Sequence, residues 1–198
     1  MHRVTTLMTM ATRTEPALFS CQVTQSEARF SPCGTWRYTL HRVWDQDRGL
    51  LMVVGLNPST ADEMKNDPTV TRCINYARAW GFGGLVMMNA FAFRATDPRV
   101  MKAVPDPVGP DNDFWLSRMA REARLIVAAW GNHGLWLERQ TKVLSLIDRE
   151  VYCLGVTKAG APRHPLYLRR EAEPILFRQA QEDTGGKFLK KYQFFEKN

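Results

Sequence analysis

Short blocks of apolar residues recur along the chain, each bounded by turn-forming residues. Four of them have the length of buried strands, at Leu50–Leu56, Gly84–Phe93, Leu125–Trp130 and Val151–Gly155. An earlier segment, Thr35–Trp44, alternates apolar and polar residues with a period of two, which predicts a half-buried strand. Because only a short turn joins it to Leu50–Leu56, we expect these two strands to run antiparallel.

Helical spacing of apolar residues is found between these strands. Asp67 and Pro68 have the N-cap and first-position chemistry of a helix start, and Gly81 suits its end. Two more helices are predicted, one at about 111–124 and one that follows Gly134 and ends near residue 148. This alternation indicates an α/β fold, a three-layer α/β/α sandwich around a mostly parallel central sheet.

The length and composition suit one domain. The chain has 198 residues, of which 44% are hydrophobic, enough for a single well-buried core. We predict one α/β domain over 16–178, a disordered N-terminal stretch over 1–15 and a basic C-terminal extension over 179–198. No apolar run approaches the roughly 20 residues that span a bilayer, and no signal-peptide pattern is present. We therefore expect a cytoplasmic monomer that does not bind membranes.

The charge balance favours a polyanionic partner. Lysine and arginine number 27 against 20 aspartates and glutamates, a formal net charge of +7, which favours nucleic acid. The four cysteines, Cys21, Cys33, Cys73 and Cys153, form no close C-x-x-C pair, so their spacing does not predict a zinc site. We expect free, buried thiols, no metal and no cofactor; an iron–sulfur cluster on distant cysteines is the less favoured alternative.

Several common catalytic motifs are missing from the sequence. The chain has no Walker loop, no G-x-G-x-x-G, no G-x-S-x-G and no H-E-x-x-H. Its polar chemistry lies instead in four segments that follow the predicted strands, namely Asn57–Asp62, Asn89–Arg94, Gly131–Gly134 and Lys158–Tyr167. These segments are expected to meet at one sheet edge, which is where open α/β sheets place their ligands.

Individual residues in these segments suit acid–base chemistry or recognition. Asn89 interrupts an apolar strand, so its amide either bonds neighbouring backbone or reads the donor and acceptor edge of a ligand such as a nucleobase. Asp62 is the candidate general base, since Asp67 is expected to serve as a helix N-cap. His164 suits a donor to a departing anion, and His133 suits a phosphate contact; each is also explained as a plain loop histidine.

Four motifs, taken in order, resemble those of the uracil-DNA glycosylase superfamily. They are Gly55-Leu-Asn-Pro-Ser59, Leu85-Val-Met-Met-Asn89, Val127-Ala-Ala-Trp-Gly131 and His164-Pro165. The resemblance covers about residues 50–168. It implies the uracil-DNA glycosylase fold, extrusion of a base from DNA and hydrolysis of its N-glycosidic bond.

More narrowly, the chain to about residue 178 resembles an uncharacterised bacterial and phage family, domain of unknown function 1643. The segments that carry this resemblance are Arg37-Tyr38, Leu56–Asp62, Asp67-Pro-Thr69, Arg94–Pro98 and Arg163–Tyr167. That family brings no established activity.

The glycosylase resemblance implies roles for individual residues. Asn57, with Asp62, would position water at the sugar C1′, and His164 would stabilise the leaving base. The base itself would be bound by Asn89, Pro58 and Phe91. DNA and its phosphates would be contacted by a larger set: Ser59, Thr60, Arg94, His133, Arg163, Leu166 and Tyr167.

The sequence is compatible with three functions. The first is a glycosylase-like enzyme acting on a normal or modified base, with single-stranded or mismatched DNA favoured because flipping is cheapest there. The second is a binder of a base or nucleotide without hydrolysis; Ser59 in place of the motif's final glycine, and Leu166 in place of a serine, favour it. The third is an enzyme acting on a free nucleoside or small metabolite.

Overall fold

The computed structural model describes residues 22–179 as a mixed α/β protein built on a seven-stranded sheet with four helices. The strands are β1 (Gln25–Phe30), β2 (Arg37–Val43), β3 (Leu50–Gly55), β4 (Gly84–Asn89), β5 (Leu125–Ala128), β6 (Val151–Cys153) and β7 (Ile175–Arg178). The helices are α1 (Pro68–Ala79), α2 (Pro98–Ala103), α3 (Asn112–Glu122) and α4 (Arg139–Leu146). None of these helices is long and apolar enough to cross a membrane.

The expected domain boundaries stay predictions. The N-terminal stretch 1–15 and all but the first residue of the C-terminal extension 179–198 lie outside the described residues. Cys21 lies outside them as well. Of the other cysteines, Cys73 and Cys153 are buried as expected, whereas Cys33 is exposed because it lies in the turn between β1 and β2.

The sheet is mixed, so the expected mostly parallel sheet is not confirmed. Its strand order is β1-β2-β4-β3-β5-β6-β7. The four strands β4, β3, β5 and β6 run parallel, while β1 and β2 on one side and β7 on the other are antiparallel to their neighbours. The two edge strands are largely exposed, so their sequences lack the apolar pattern that predicts a buried strand.

Strand β2 lies inside the sheet, between β1 and β4. It runs antiparallel to β4, which is parallel to β3, so its expected direction relative to β3 is correct although the two are not neighbours. The expected half-burial is wrong: six of its seven residues are buried, including Arg37 and Thr39. The alternating pattern predicts one exposed face, but an interior strand of a sheet that is packed on both sides is buried on both faces.

The core is divided by the sheet into two parts. On one side α1 packs its buried residues, among them Val70 and Ile74, against Leu51, Val53 and Met87 of the parallel strands. On the other side α2, α3 and α4 cover the alternate strand residues Met52, Val54, Val86, Met88 and Ile126. Neighbouring residues of one strand therefore belong to opposite cores, as the period-two geometry of strands requires.

Helix α1 begins as its sequence predicts. The side chain of Asp67 accepts a hydrogen bond from the backbone N–H of Val70 at 2.8 Å, and Pro68 occupies the first helical position. The expected N-cap role of Asp67 is thereby confirmed. Because the loop after β3 leads into this helix, the start of α1 lies at the carboxyl edge of the parallel strands.

Candidate ligand-binding site

A cavity of about 540 Å³ lies at the carboxyl ends of the parallel strands. Its walls come from the segments that follow β3, β4 and β5, from the start of α1, and from a 3₁₀ turn at Pro165–Tyr167. This volume lies within the range of about 300–1,000 Å³ that is typical of small-molecule sites. Among residues 22–179, no three histidine, cysteine, aspartate or glutamate side chains gather as metal ligands.

The cavity brings together some of the predicted site residues and not others. Six line it: Asn57, Ser59, Asn89, His133, His164 and Tyr167. Seven do not: Pro58, Thr60, Asp62, Phe91, Arg94, Arg163 and Leu166.

The residues outside the cavity have other surroundings. Phe91 is fully buried and packs against Trp136 in the core on the α2–α4 side. Arg94 lies over the ring of Phe30, with 4.9 Å from its guanidinium carbon to the ring centroid, and donates to Gly34. Arg163 borders a second groove beside the cavity.

Three other predicted residues adjoin wall residues of the cavity in the chain without lining it themselves. Pro58 is buried, and its carbonyl oxygen accepts from the backbone N–H of Ala95 at 2.9 Å. Thr60 and Leu166 are exposed next to wall residues. These side chains are therefore placed to shape the wall or contact solvent rather than to touch a ligand held inside.

Asn89 ends β4 inside the cavity. Its side chain is 3% exposed, and its amide nitrogen has no hydrogen-bond partner among the described residues. Gly55 on the neighbouring strand makes room for it, since a Cβ there would lie 3.1 Å from Asn89 Oδ1. A buried amide donor without a partner costs about 1–3 kcal/mol, so this side chain is held ready for a ligand acceptor.

Asn57 also lines the cavity, but its amide nitrogen is used within the protein. It donates to the carbonyl oxygens of Ala95 at 2.6 Å and Pro58 at 3.1 Å. These bonds tie the loop after β3 to the segment after β4. Only the side-chain oxygen of Asn57 then remains to hold a water or a ligand donor.

Two carboxylates near the loop after β3 differ in their surroundings. Asp62 accepts hydrogen bonds from the backbone N–H groups of Met64 and Lys65, which lower its pKa, and it does not line the cavity. Asp67 is 9% exposed and does line it. Its Oδ1 caps α1, while Oδ2 accepts no hydrogen bond from the described residues. Position therefore favours Asp67 over Asp62 as a base.

His164 immediately precedes the 3₁₀ turn at the cavity wall. Its Nδ1 accepts from the backbone N–H of Leu166 at 3.4 Å, which places the proton of the neutral ring on Nε2. Burial lowers the pKa of His164, and the nearby Asp67 carboxylate opposes this only in part. At neutral pH the ring is thus an uncharged donor.

Arg37 lines the cavity from the start of β2. Strict period-two alternation along Thr35–Trp44 would place it on the face opposite Leu40. The register between β1 and β2 shifts at this point, because Arg29 pairs with Thr39 whereas Phe30 pairs with Arg37. One extra residue in β2 reverses the alternation. Arg37 therefore reaches Ala61 on the α1 side of the sheet.

The rim of the cavity carries basic and aromatic groups. Lys102 Nζ lies 3.2 Å from Nδ1 of His133 on one side. On the other side Tyr167 is 79% exposed, and its ring centroid lies 5.6 Å from that of His164. The rim therefore presents a lysine ammonium on one side and an exposed aromatic ring on the other.

Fold and cavity together define a mixed α/β protein with a donor-rich ligand cavity at the carboxyl edge of its parallel strands. The chain belongs to the family described as Protein of unknown function (DUF1643), which it matches over residues 37–166. The match includes Arg37, Asp67, Asn89 and His164. Comparisons with curated proteins and with solved structures give no match.

Proposed function

We propose that the cavity binds a nucleobase and that the protein hydrolyses the N-glycosidic bond of that base in DNA. The observation that carries this proposal is the buried amide of Asn89, which lines the cavity with its nitrogen unpartnered. A primary amide presents one acceptor and two donors in a plane, which matches the polar edge of a base.

Two further side chains supply the chemistry. Hydrolysis breaks the bond between C1′ and the base nitrogen and forms a bond from C1′ to a water oxygen. Asp67 takes a proton from that water through Oδ2, and the neutral ring of His164 donates a hydrogen bond from Nε2 to the departing base, which leaves as an anion. The base then takes up a proton from solvent, and Asp67 releases its proton to solvent.

DNA as the carrier of the base is supported by charge and by the cavity rim. The net charge is +7, and the exposed basic residues Arg163 and Arg169 border the groove next to the cavity. Tyr167 takes part in both the groove and the cavity. Its exposed ring would fill the space that a flipped base leaves in the stack.

The test is base release from single-stranded, mismatched and paired DNA containing uracil, hypoxanthine or modified pyrimidines. We expect release from at least one substrate, with a loss of about fivefold or more in Asn89→Ala, since two hydrogen bonds to the base at about 0.5–1.5 kcal/mol each contribute about 1–3 kcal/mol. Asn75→Ala is the control, because Asn75 is exposed on α1 and does not line the cavity. Release that is equal in Asn89→Ala and the wild type would refute base recognition by Asn89.

A binder without hydrolysis is the second candidate, and the position of Asp62 favours it. The glycosylase resemblance gives Asp62 a part in positioning water, but Asp62 does not line the cavity. This candidate expects DNA or nucleotide binding that depends on Asn89, together with no base release from any member of the panel.

A further inference from the structure

Three arginines are buried among the described residues, and two of them are fully accounted for by protein partners. Arg42 donates from Nε to Asn66 Oδ1 at 2.9 Å and from its terminal nitrogens to backbone carbonyls. Arg139 pairs with the carboxylate of Asp113 and donates to Ala90 O at 2.5 Å. Each of these side chains connects elements of the fold.

Arg37 is 2% exposed and differs from both. Its Nη1 donates to Ala61 O at 2.7 Å, but its Nε is buried with no hydrogen-bond partner. No carboxylate of residues 22–179 forms a salt bridge with it, which is also true of Arg42, but no buried nitrogen of Arg42 lacks a hydrogen-bond partner. A buried guanidinium is costly unless its charge is paired and its N–H groups are hydrogen-bonded, so Arg37 combines an unpaired charge with an unused donor.

The nearest carboxylate does not pair with this charge. Asp67 lines the same cavity and favours the charged form of Arg37, but only from beyond salt-bridge distance. Burial lowers the pKa of Arg37 to about 10, which still leaves the guanidinium protonated at neutral pH. The cation therefore persists in the cavity wall and its charge remains available to a ligand.

We propose that Arg37 binds an oxyanion of the ligand, so that the cavity selects a nucleobase compound carrying a carboxylate or phosphate group over its neutral counterpart. The planar guanidinium fork matches both groups. This inference rests on the base-binding role proposed for the cavity, and it makes Arg37 a specificity-determining residue beside Asn89. The two sources of the anion are a carboxylate on the base ring and the 5′-phosphate of a nucleotide.

The experiment compares ligands in matched pairs by isothermal titration calorimetry. One pair is 5-carboxyuridine against 5-carbamoyluridine, in which a neutral amide replaces the carboxylate. The other set is the four common nucleoside 5′-monophosphates against their nucleosides. We expect the charged member of one set to bind at least tenfold more tightly, equivalent to about 1.4 kcal/mol, and the set that shows the preference identifies the source of the anion.

Variants at position 37 test whether Arg37 causes the preference for charged over neutral ligands. Arg37→Met should abolish the preference and remain folded, since it removes an unpaired buried charge while keeping the length of the side chain. Arg37→Lys should keep part of it, because the charge stays and the fork is lost. If Arg37→Met does not fold, the melting temperatures of the wild type and of Arg37→Lys are compared instead. Inorganic phosphate and acetate, added at fixed ionic strength, must then raise the melting temperature of the wild type more than they raise that of Arg37→Lys.

The outcomes separate this inference from the proposed function. Equal affinity for charged and neutral members in the wild type, with binding abolished by Asn89→Ala, overturns the role of Arg37 and leaves base binding intact. A charge preference that survives in Asn89→Ala supports Arg37, and it overturns base recognition by Asn89 if the affinity of each ligand is also undiminished in that variant. A preference that survives in Arg37→Met, or no binding by any member, overturns the inference.

Discussion

Replacing Asp67 with alanine should weaken both folding and the proposed chemistry, because one carboxylate caps α1 and lines the cavity. The cap is the 2.8 Å hydrogen bond from the backbone N–H of Val70 to Asp67 Oδ1. Loss of an N-cap costs about 0.5–2 kcal/mol. For a domain of this size, each kcal/mol lowers the melting temperature by about 2–4 °C, so a decrease of a few degrees is expected.

Serine at the same position separates the two roles. Its hydroxyl is a good N-cap acceptor, so Asp67→Ser should recover most of the stability that alanine loses. It carries no negative charge and cannot take a proton from water at neutral pH, so base release should stay lost. Thermal unfolding followed by circular dichroism measures the first property, and single-turnover base release from the most active substrate measures the second.

The matched control is Asp62→Ala. The Asp62 carboxylate caps its own turn through Met64 and Lys65 outside the cavity, so this variant should lose some stability and keep base release. If Asp67→Ser releases base as fast as the wild type while Asp62→Ala does not, the assignment of the base to Asp67 is refuted. If Asp67→Ala melts with the wild type, the cap contributes nothing measurable.

Two further predictions follow from the cavity and its histidine. Gly55→Ala should reduce ligand affinity at least fivefold with little change in circular dichroism, since the new Cβ would lie 3.1 Å from Asn89 Oδ1; unchanged affinity would show that Asn89 does not need this space. Burial lowers the pKa of His41 and His164 in the folded protein. As the pH falls, these histidines therefore take up protons in the unfolded state before they do so in the folded state. The free energy of unfolding should then decrease below about pH 6.5. Urea titrations at pH 5 and 7 measure this, and His164→Gln should reduce the difference; equal stability at both pH values in the wild type would contradict it.

The parallel strands and α1 were predictable because their signals are local. Apolar runs located β3, β4 and β5, and Asp67 with Pro68 located the start of α1. Asn89 was identifiable because a single amide in an apolar strand must find a partner, and it does line the cavity. Edge strands β1 and β7 were not predicted because none of their residues is buried, so they carry no burial pattern.

Other site residues depend on contacts that the sequence does not reveal. Strict alternation along the strand places Arg37 on the face opposite Leu40. Only the shifted pairing of β2 with β1 shows that Arg37 and Leu40 lie on the same side of the sheet. Asp67 was assigned to capping alone, since its second oxygen becomes relevant only when the cavity is seen. The amide of Asn57 is tied to Ala95, 38 positions along the chain, by a bond that no local pattern indicates.

The extra residue in β2 makes strand length, as well as residue type, a property that decides the charge of the cavity. Downstream of the shift, the strand follows the alternation of the core; upstream, it follows the opposite phase and places a cation in the cavity wall. A related chain with the same arginine but one residue fewer in this strand would present it to the other side of the sheet. When family members are aligned, a gap near Tyr38 would therefore be as informative about the charge of the cavity as an exchange of the arginine itself.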